Sequence, residues 1–511
     1  MREIITLQLG QLSNYTATHF WNTQVEQLPT TSSAKTVTDQ PQESYFTYAA
    51  DEESPVDHNV HWRAGVGADG SDTFLPRTVI YDLKGGFGSL RKINALYEPE
   101  SEATPGALWS GPSVVQKQQP LEANAYQQSL DSGSQAPQLT TSTVRYWSDF
   151  SRAYFHPRSL VQLYDFELNS TTMPFERFAM GSELYNVLDR EHELVDRDWR
   201  PFAEEADQMQ GIQVFTSIDD AWGGFASSYI ESLRDEYPKT CIWVWGLQSP
   251  MLGIPRSKRQ LRLVNTAHSI DQLCAQATTL VPVALPETDF PAGISMDSRS
   301  QWHTSAAMAT AIETATLQTR LTQGTADQPV SLDYMAESLN PAGNQPLASM
   351  EMSLAPETDA PDGDRIDIDF FQIGRGGLGR QRDREARIFG QVFSCRALGP
   401  KGDEQQDLPG HQGRPVIGSP VIRKYESSLR FPLLDSYPRI YPRAADQQDI
   451  AVLTNLSSNT FMAPRIKTLR TESTRFVGVE EREALNNGLA ELAEAYREDW
   501  SSGSDDDDDD I

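Results

Sequence analysis

Short apolar bursts punctuate the first half of the chain, and stripes of helical period lie between them. Ile4 to Leu9 is apolar at all but Thr6 and Gln8 and predicts a strand beginning at residue 3. Thr78 to Tyr81, Ile212 to Phe215 and Cys241 to Trp245 predict three more. Between the last two lie Gly223-Gly224 and then Phe225, Tyr229 and Leu233 on one helical face, closed by Tyr237-Pro238. This is a βαβ unit. Its repetition predicts an α/β fold, a mostly parallel sheet covered by helices.

Further on, Thr304 to Leu321 predicts an Ala- and Thr-rich helix with Met308, Ile312 and Leu317 spaced for burial, and Ile366 to Ile373 alternates like a strand. Polar segments at 29–44 and 99–143 read as long loops or insertions, as do 340–364 and 399–418. Leu485, Leu489, Leu492 and Tyr496 form one stripe on a helix expected at about 479–499. The predicted organisation is therefore an N-terminal domain over 1–335, a smaller α/β domain over 336–470, a C-terminal helical region over 471–500 and a disordered acidic tail over 501–511.

Charge narrows the function classes. The 511 residues carry a net charge of -29, and removing the six aspartates at 505–510 still leaves -23, so the body itself is acidic. Phosphate affinity rests on Lys and Arg, which argues against a nucleic-acid partner. Three cysteines far apart in sequence imply neither a disulfide framework nor a zinc site, and point to a reducing compartment. No apolar run reaches the length of a transmembrane helix, and the N-terminus resembles neither a signal nor a transit peptide.

Few motifs carry chemistry of their own. Gly374 to Gly379 fits G-x-G-x-x-G, but no clear βαβ unit follows and arginines surround it, so it reads as a glycine loop. There is no Walker loop and no G-x-S-x-G elbow, and His192-Glu193 lacks the second histidine of a zinc helix. No catalytic residue and no metal ligand is assigned.

The N-terminal Met-Arg-Glu-Ile, with Leu9 to Asn14 and His19-Phe20-Trp21, resembles the opening of tubulin, where a strand enters the first nucleotide loop. Pro76 to Leu83 resembles the strand whose aspartate approaches phosphates and magnesium, and Glu122 to Tyr126 the next phosphate-side loop. Ala309 to Leu321 is similar to tubulin's central helix, and Glu480 to Asp499 with the acidic tail to its C-terminus. Asp219-Asp220-Ala221-Trp222-Gly223-Gly224 stands where tubulins carry a glycine-rich signature. Together with His19 to Asn22, these residues most resemble the Misato family of tubulin-like proteins. That resemblance implies a tubulin-like fold and a role in mitochondrial distribution, morphology and inheritance, on the cytosolic side of the mitochondrion and in the cytoplasm. It also implies protein partners at the mitochondrial surface or cytoskeleton. A nucleotide site would be lined by Gln11, Asn14, Asp82, Asn124, Gly223 and Gly224.

The departures from tubulin bear on mechanism. A glycine loop at a helix N-terminus holds phosphate through bare N–H groups, whereas two carboxylates repel it by about 1 to 4 kcal/mol per close pair. A bridging Mg²⁺ would reverse that sign. Gly324 to Pro329 stands in place of tubulin's G-x-x-N-x-D, with proline at the acid position. The expectation is a non-enzymatic protein with no resident cofactor, in which Asp219 and Asp220 point into the cleft or Trp222 fills it. A GTP-binding switch or GTPase, with GTP and Mg²⁺ as ligands, is the first alternative. A cofactor of the tubulin-folding chaperonin or a microtubule regulator is the second.

Overall fold

Burial along the whole of β1 (Glu3–Leu9) marks it as the centre of a sheet covered on both faces. The computed structural model describes residues 2–25, 55–66, 72–90, 121–251, 253–287, 291, 293–322, 330–355, 365–373, 387–399, 420–441 and 448–497. After β1 come α1 (Gln11–Val25), the hairpin of β2 (Trp62–Val66) and β3 (Asp72–Pro76), β4 (Thr78–Lys84), α2 (Ala125–Ser132) and β5 (Leu160–Glu167). Then follow α3 (Phe178–His192), β6 (Met209–Ser217), α4 (Ala221–Glu236), β7 (Cys241–Leu247), α5 (Arg256–Gln276), β8 (Thr279–Val283) and α6 (Gln301–Thr316).

The sheet runs β5-β4-β1-β6-β7-β8, with every neighbouring pair parallel. The chain winds outward from β1 in both directions, so a crevice opens beyond the carboxyl ends of β1, β4 and β6. In open α/β sheets that is where ligands bind.

A second sheet follows α7 (Leu332–Leu339). It is built from β9 (Ser349–Leu354), β10 (Ile366–Asp369), β11 (Ile388–Arg396), β12 (Val421–Ser427) and β13 (Val452–Asn459), in the order β10-β9-β13-β11-β12. Only the β11–β12 pair is parallel. Two helices, α8 (Met462–Ser473) and α9 (Val479–Glu494), pack together against α5.

Helix α6 joins the two sheets. It is buried at every position from Thr304 to Thr316, between α1 on one side and β11 and β13 on the other. A helix buried all round needs no polar face, and two of its threonines bond back to the helix: Thr310 and Thr316 donate to the carbonyls of Ala306 and Ile312, each at 3.0 Å. One apolar cluster consequently runs from Ile4 to Leu456, across the expected boundary at 335.

Glu313 on α6 has no exposed side chain and accepts from both Arg320 and Arg396, themselves fully or almost fully buried. Arg396 also donates to the Arg430 carbonyl at 3.1 Å and lies over the Phe431 ring. Burial pulls the Arg396 guanidinium down to about 10. The triad ties α6 to β11.

Several expectations are corrected. Within 99–143 the residues described begin at 121 and include α2, whose Tyr126 is fully buried, so that stretch is not all loop. Within 340–364, β9 is a strand with Met350, Met352 and Leu354 facing the core. The strand expected over 366–373 stops at Asp369, with the Phe370 N–H still bonded to the Met350 carbonyl at 3.0 Å, and Phe370, Phe371 and Ile373 bury in the core. The central helix ends at Thr316 and continues as a 3-10 turn over Leu317–Arg320. Helix α8 starts at Met462 and runs through the expected boundary at 471. Segment 29–44, the Gly374–Gly379 loop, residues 324–329 and the acidic tail lie outside the described residues.

Replacing Glu313 by Gln leaves two buried guanidiniums without a counter-charge, at an expected cost of about 3 to 5 kcal/mol. Urea unfolding followed by tryptophan fluorescence checks this. The exposed control Glu483→Gln should stay within about 0.5 kcal/mol of the native chain.

Candidate functional site at the sheet crevice

Three chain segments meet beyond the carboxyl ends of β1, β4 and β6. Gly10, at φ +86°, turns β1 into α1 and presents Gln11 and Asn14. Asp82, near the end of β4, lies between them. Its Oδ2 accepts from Gln11 Nε2 at 2.6 Å, Asn14 Nδ2 at 2.8 Å and Trp147 Nε1 at 3.2 Å, while Oδ1 accepts from the Leu83 N–H at 2.8 Å. Gly86 closes over this nest, for a Cβ there would fall 2.4 Å from the carboxylate. Burial pushes Asp82 up to about 7, against the pull of all four donors. Its hydrogen-bonding capacity is spent inside the protein.

The start of α4 is closed in a different way. Asp220 is the N-cap and accepts the Trp222 N–H at 2.8 Å, so a carboxyl group of the chain itself takes the anion position at this helix end. Burial raises Asp220 to about 8, and the neighbouring Asp219 raises it further in the same direction. Asp219 turns the other way. Its Oδ2 accepts the Ser249 N–H at 3.0 Å and faces Arg262 Nε at 3.6 Å. The expectation that both carboxylates point into the cleft is therefore corrected for Asp219, which is drawn off by the only cation paired with it among the described residues.

Trp222 is 4% exposed and occupies the surface of the first loop: a Cβ on Gly10 would lie 2.4 Å from the indole Nε1. Phe175 and Phe225 hold the ring edge-on, with centroids at 5.3 and 5.5 Å. The structure has Trp222 where it was expected to fill the cleft, packed on Gly10.

Of the six residues expected at the site, Gln11, Asn14 and Asp82 are brought together. Gly223 and Gly224 lie in the first turn of α4 and serve packing. A Cβ on Gly223 would meet Ser269 Oγ at 2.1 Å, and one on Gly224 would meet the Phe178 carbonyl at 2.0 Å. Asn124 caps α2, accepting the Tyr126 N–H at 3.2 Å and donating to the Thr143 carbonyl at 2.9 Å. Trp147 and Gly86 complete the Asp82 nest and escaped the sequence reading. Gly86 had a signal, as a glycine shortly after a strand; Trp147 had none. Among the described residues no group of His, Cys, Asp and Glu is arranged to hold a metal ion, and no helix is long and apolar enough to cross a membrane.

The strand order, the crevice and the buried helix α6 define a tubulin-like protein, and a tubulin domain matches residues 136–321. A Misato Segment II tubulin-like domain matches residues 2–41 and 40–132. Protein DML1 of Gibberella zeae is 66% identical over 518 residues, covering 100% of both chains. Protein dml-1 of Neurospora crassa is 45% identical and protein DML1 of Yarrowia lipolytica 27% identical, each again covering 100% of both chains. The chain belongs to the Misato/DML1 family of tubulin-like proteins.

The raised pKa of Asp220 sets a sign for pH dependence. Above about 3.9 the unfolded chain releases a proton that the folded chain keeps, so this contribution is complete at low pH and lost as pH rises towards 8. Asp220→Asn keeps the capping acceptor and removes the titration. The melting temperature of the variant, relative to the native chain, should climb between pH 5 and pH 8; a difference that stays flat across this range contradicts the assignment.

Proposed function

We propose that this chain is a non-catalytic tubulin-like protein that acts in the distribution, morphology and inheritance of mitochondria, from the cytoplasm and the cytosolic side of the organelle. Membership of the Misato family supports the cellular role. The observation that supports the absence of catalysis is the indole of Trp222 seated on Gly10, beside a helix N-terminus already capped by Asp220. A nucleotide phosphate needs bare backbone at both places.

Gln11, Asn14 and Asp82 would be the nearest polar groups to a nucleotide, and they are committed to one another. In this reading they are a vestige of a nucleotide site, retained because the fold needs Asp82 satisfied. Work at the organelle then rests on protein partners, since a net charge of -29 is repelled by anionic lipid surfaces.

Purified full-length protein should carry no guanine nucleotide, and GTP with Mg²⁺ should leave its melting temperature unchanged. A ligand at 100 times its Kd would contribute about 2.7 kcal/mol, a readily measured shift. In cells lacking the protein, the mitochondrial network and the partitioning of its DNA should be altered, and both the native chain and Asp82→Asn should restore them. Co-purified GDP or GTP, or a normal network in those cells, overturns the proposal.

A further inference from the structure

A cavity of about 630 Å³ lies away from the Asp82 nest, between α5, the end of α8 and the segments that leave β7 and β8. Its size is that of a small-molecule site. Arg256, Arg259 and Leu263 line it from one face of α5, at helical spacing; Leu469, Arg475 and Phe476 line it from the α8 side.

The cations here are sorted. Lys258 pairs with Glu176 at 2.7 Å, and Arg262 with Asp219 at 3.6 Å. Arg256, Arg259 and Arg475, the three that line the cavity, form no ion pair with any carboxylate among the described residues. In a chain with 72 acidic residues, three unneutralised guanidiniums around one hollow are a local reversal of sign.

Two of them oppose their own helix. Arg256 and Arg259 sit at the N-terminal end of α5, where the helix dipole is positive, and that end has no acidic residue in its first turn and no side-chain cap. The contrast with α4 is direct: there the Asp220 side chain caps the helix end, here no side chain does. Arginine forks match the oxygens of a phosphate. Of the two carboxylates on the lining, Glu287 is held by the Met251 N–H at 2.9 Å.

The remaining lining sets an apolar wall beside polar side chains, Gln248, Ser249, Gln260, Thr266, Glu472 and Gln372. Leu263, Ile373 and Leu469 form a greasy wall, and the Phe476 ring is 48% exposed at the cavity. Gln372 presents a buried Oε1 that has no donor. A ligand for this place carries a dianionic head, a flat apolar body and a hydrogen-bond donor.

We infer that the cavity between α5 and α8 is a binding site for a small aromatic phosphate ester, its phosphate held by Arg256, Arg259 and the α5 N-terminus and its ring set against Phe476. The site is separate from the crevice, so it stands whether or not the crevice binds nucleotide.

Phenyl phosphate is the probe, titrated calorimetrically into the full-length protein beside inorganic phosphate. Phenyl phosphate should bind at least about tenfold more tightly than inorganic phosphate, the margin expected for an added ring contact. The double variant Arg256→Gln/Arg259→Gln should weaken it by about tenfold or more, through loss of charge-assisted hydrogen bonds. Phe476→Ala should remove the preference over inorganic phosphate, while Asp82→Asn should change nothing. All three cavity residues are exposed, so the variants should melt like the native chain. Equal affinity for the two phosphates, or no loss in the double variant, overturns the inference. Displacement of phenyl phosphate by hexa-aspartate at lower concentration also overturns it, because the site would then be a dock for acidic peptide.

Discussion

Backbone meets backbone where α3 crosses α4, and the crevice takes its form from that contact. A Cβ on Gly181 would fall 1.7 Å from the Ala221 carbonyl, and one on Gly224 would fall 2.0 Å from the Phe178 carbonyl. No side chain can stand between the helices, so the first turn of α4 is pressed against α3 with no freedom to withdraw. Trp222, on that same turn, is then aimed at Gly10. The crossing that stabilises the sheet's helical cover also sets where that indole lies.

Four carboxyl groups withdrawn from solvent, among others, are each made tolerable differently. Asp82 has four hydrogen-bond donors and no cation in its nest. Asp219 has Arg262 and a backbone N–H. Glu313 has two guanidiniums. Asp220, capping α4 beside Asp219, is pushed towards its neutral form. A buried charge with no such provision would cost several kcal/mol.

Much of the tubulin-like sheet was legible because parallel strands buried on both faces read as continuous apolar runs, as in β1, β4, β6 and β7. Strand β9 was obscured: its inward Met350, Met352 and Leu354 alternate correctly but stand in a stretch rich in Pro, Ala and Asp. Half of the candidate site was legible as well. Gln11, Asn14 and Asp82 adjoin strand ends, where register places them together. Asn124, Gly223 and Gly224 were of the right type for phosphate binding, but asparagine equally suits a helix cap and glycine a tight helix crossing. Residue type does not choose between these uses.

By itself, then, the chain determined its class, four strands of its main sheet and the positions at which it differs from the tubulin loops it resembles, since periodicity and motif order are local properties. Only the tertiary structure decided which way each altered group turned. Arg262, 43 positions beyond Asp219, draws that carboxylate aside, and Gly10, more than 200 positions before Trp222, receives the indole. Contacts between residues so far apart arise from how helices and strands pack, and no pattern of neighbouring residues encodes them.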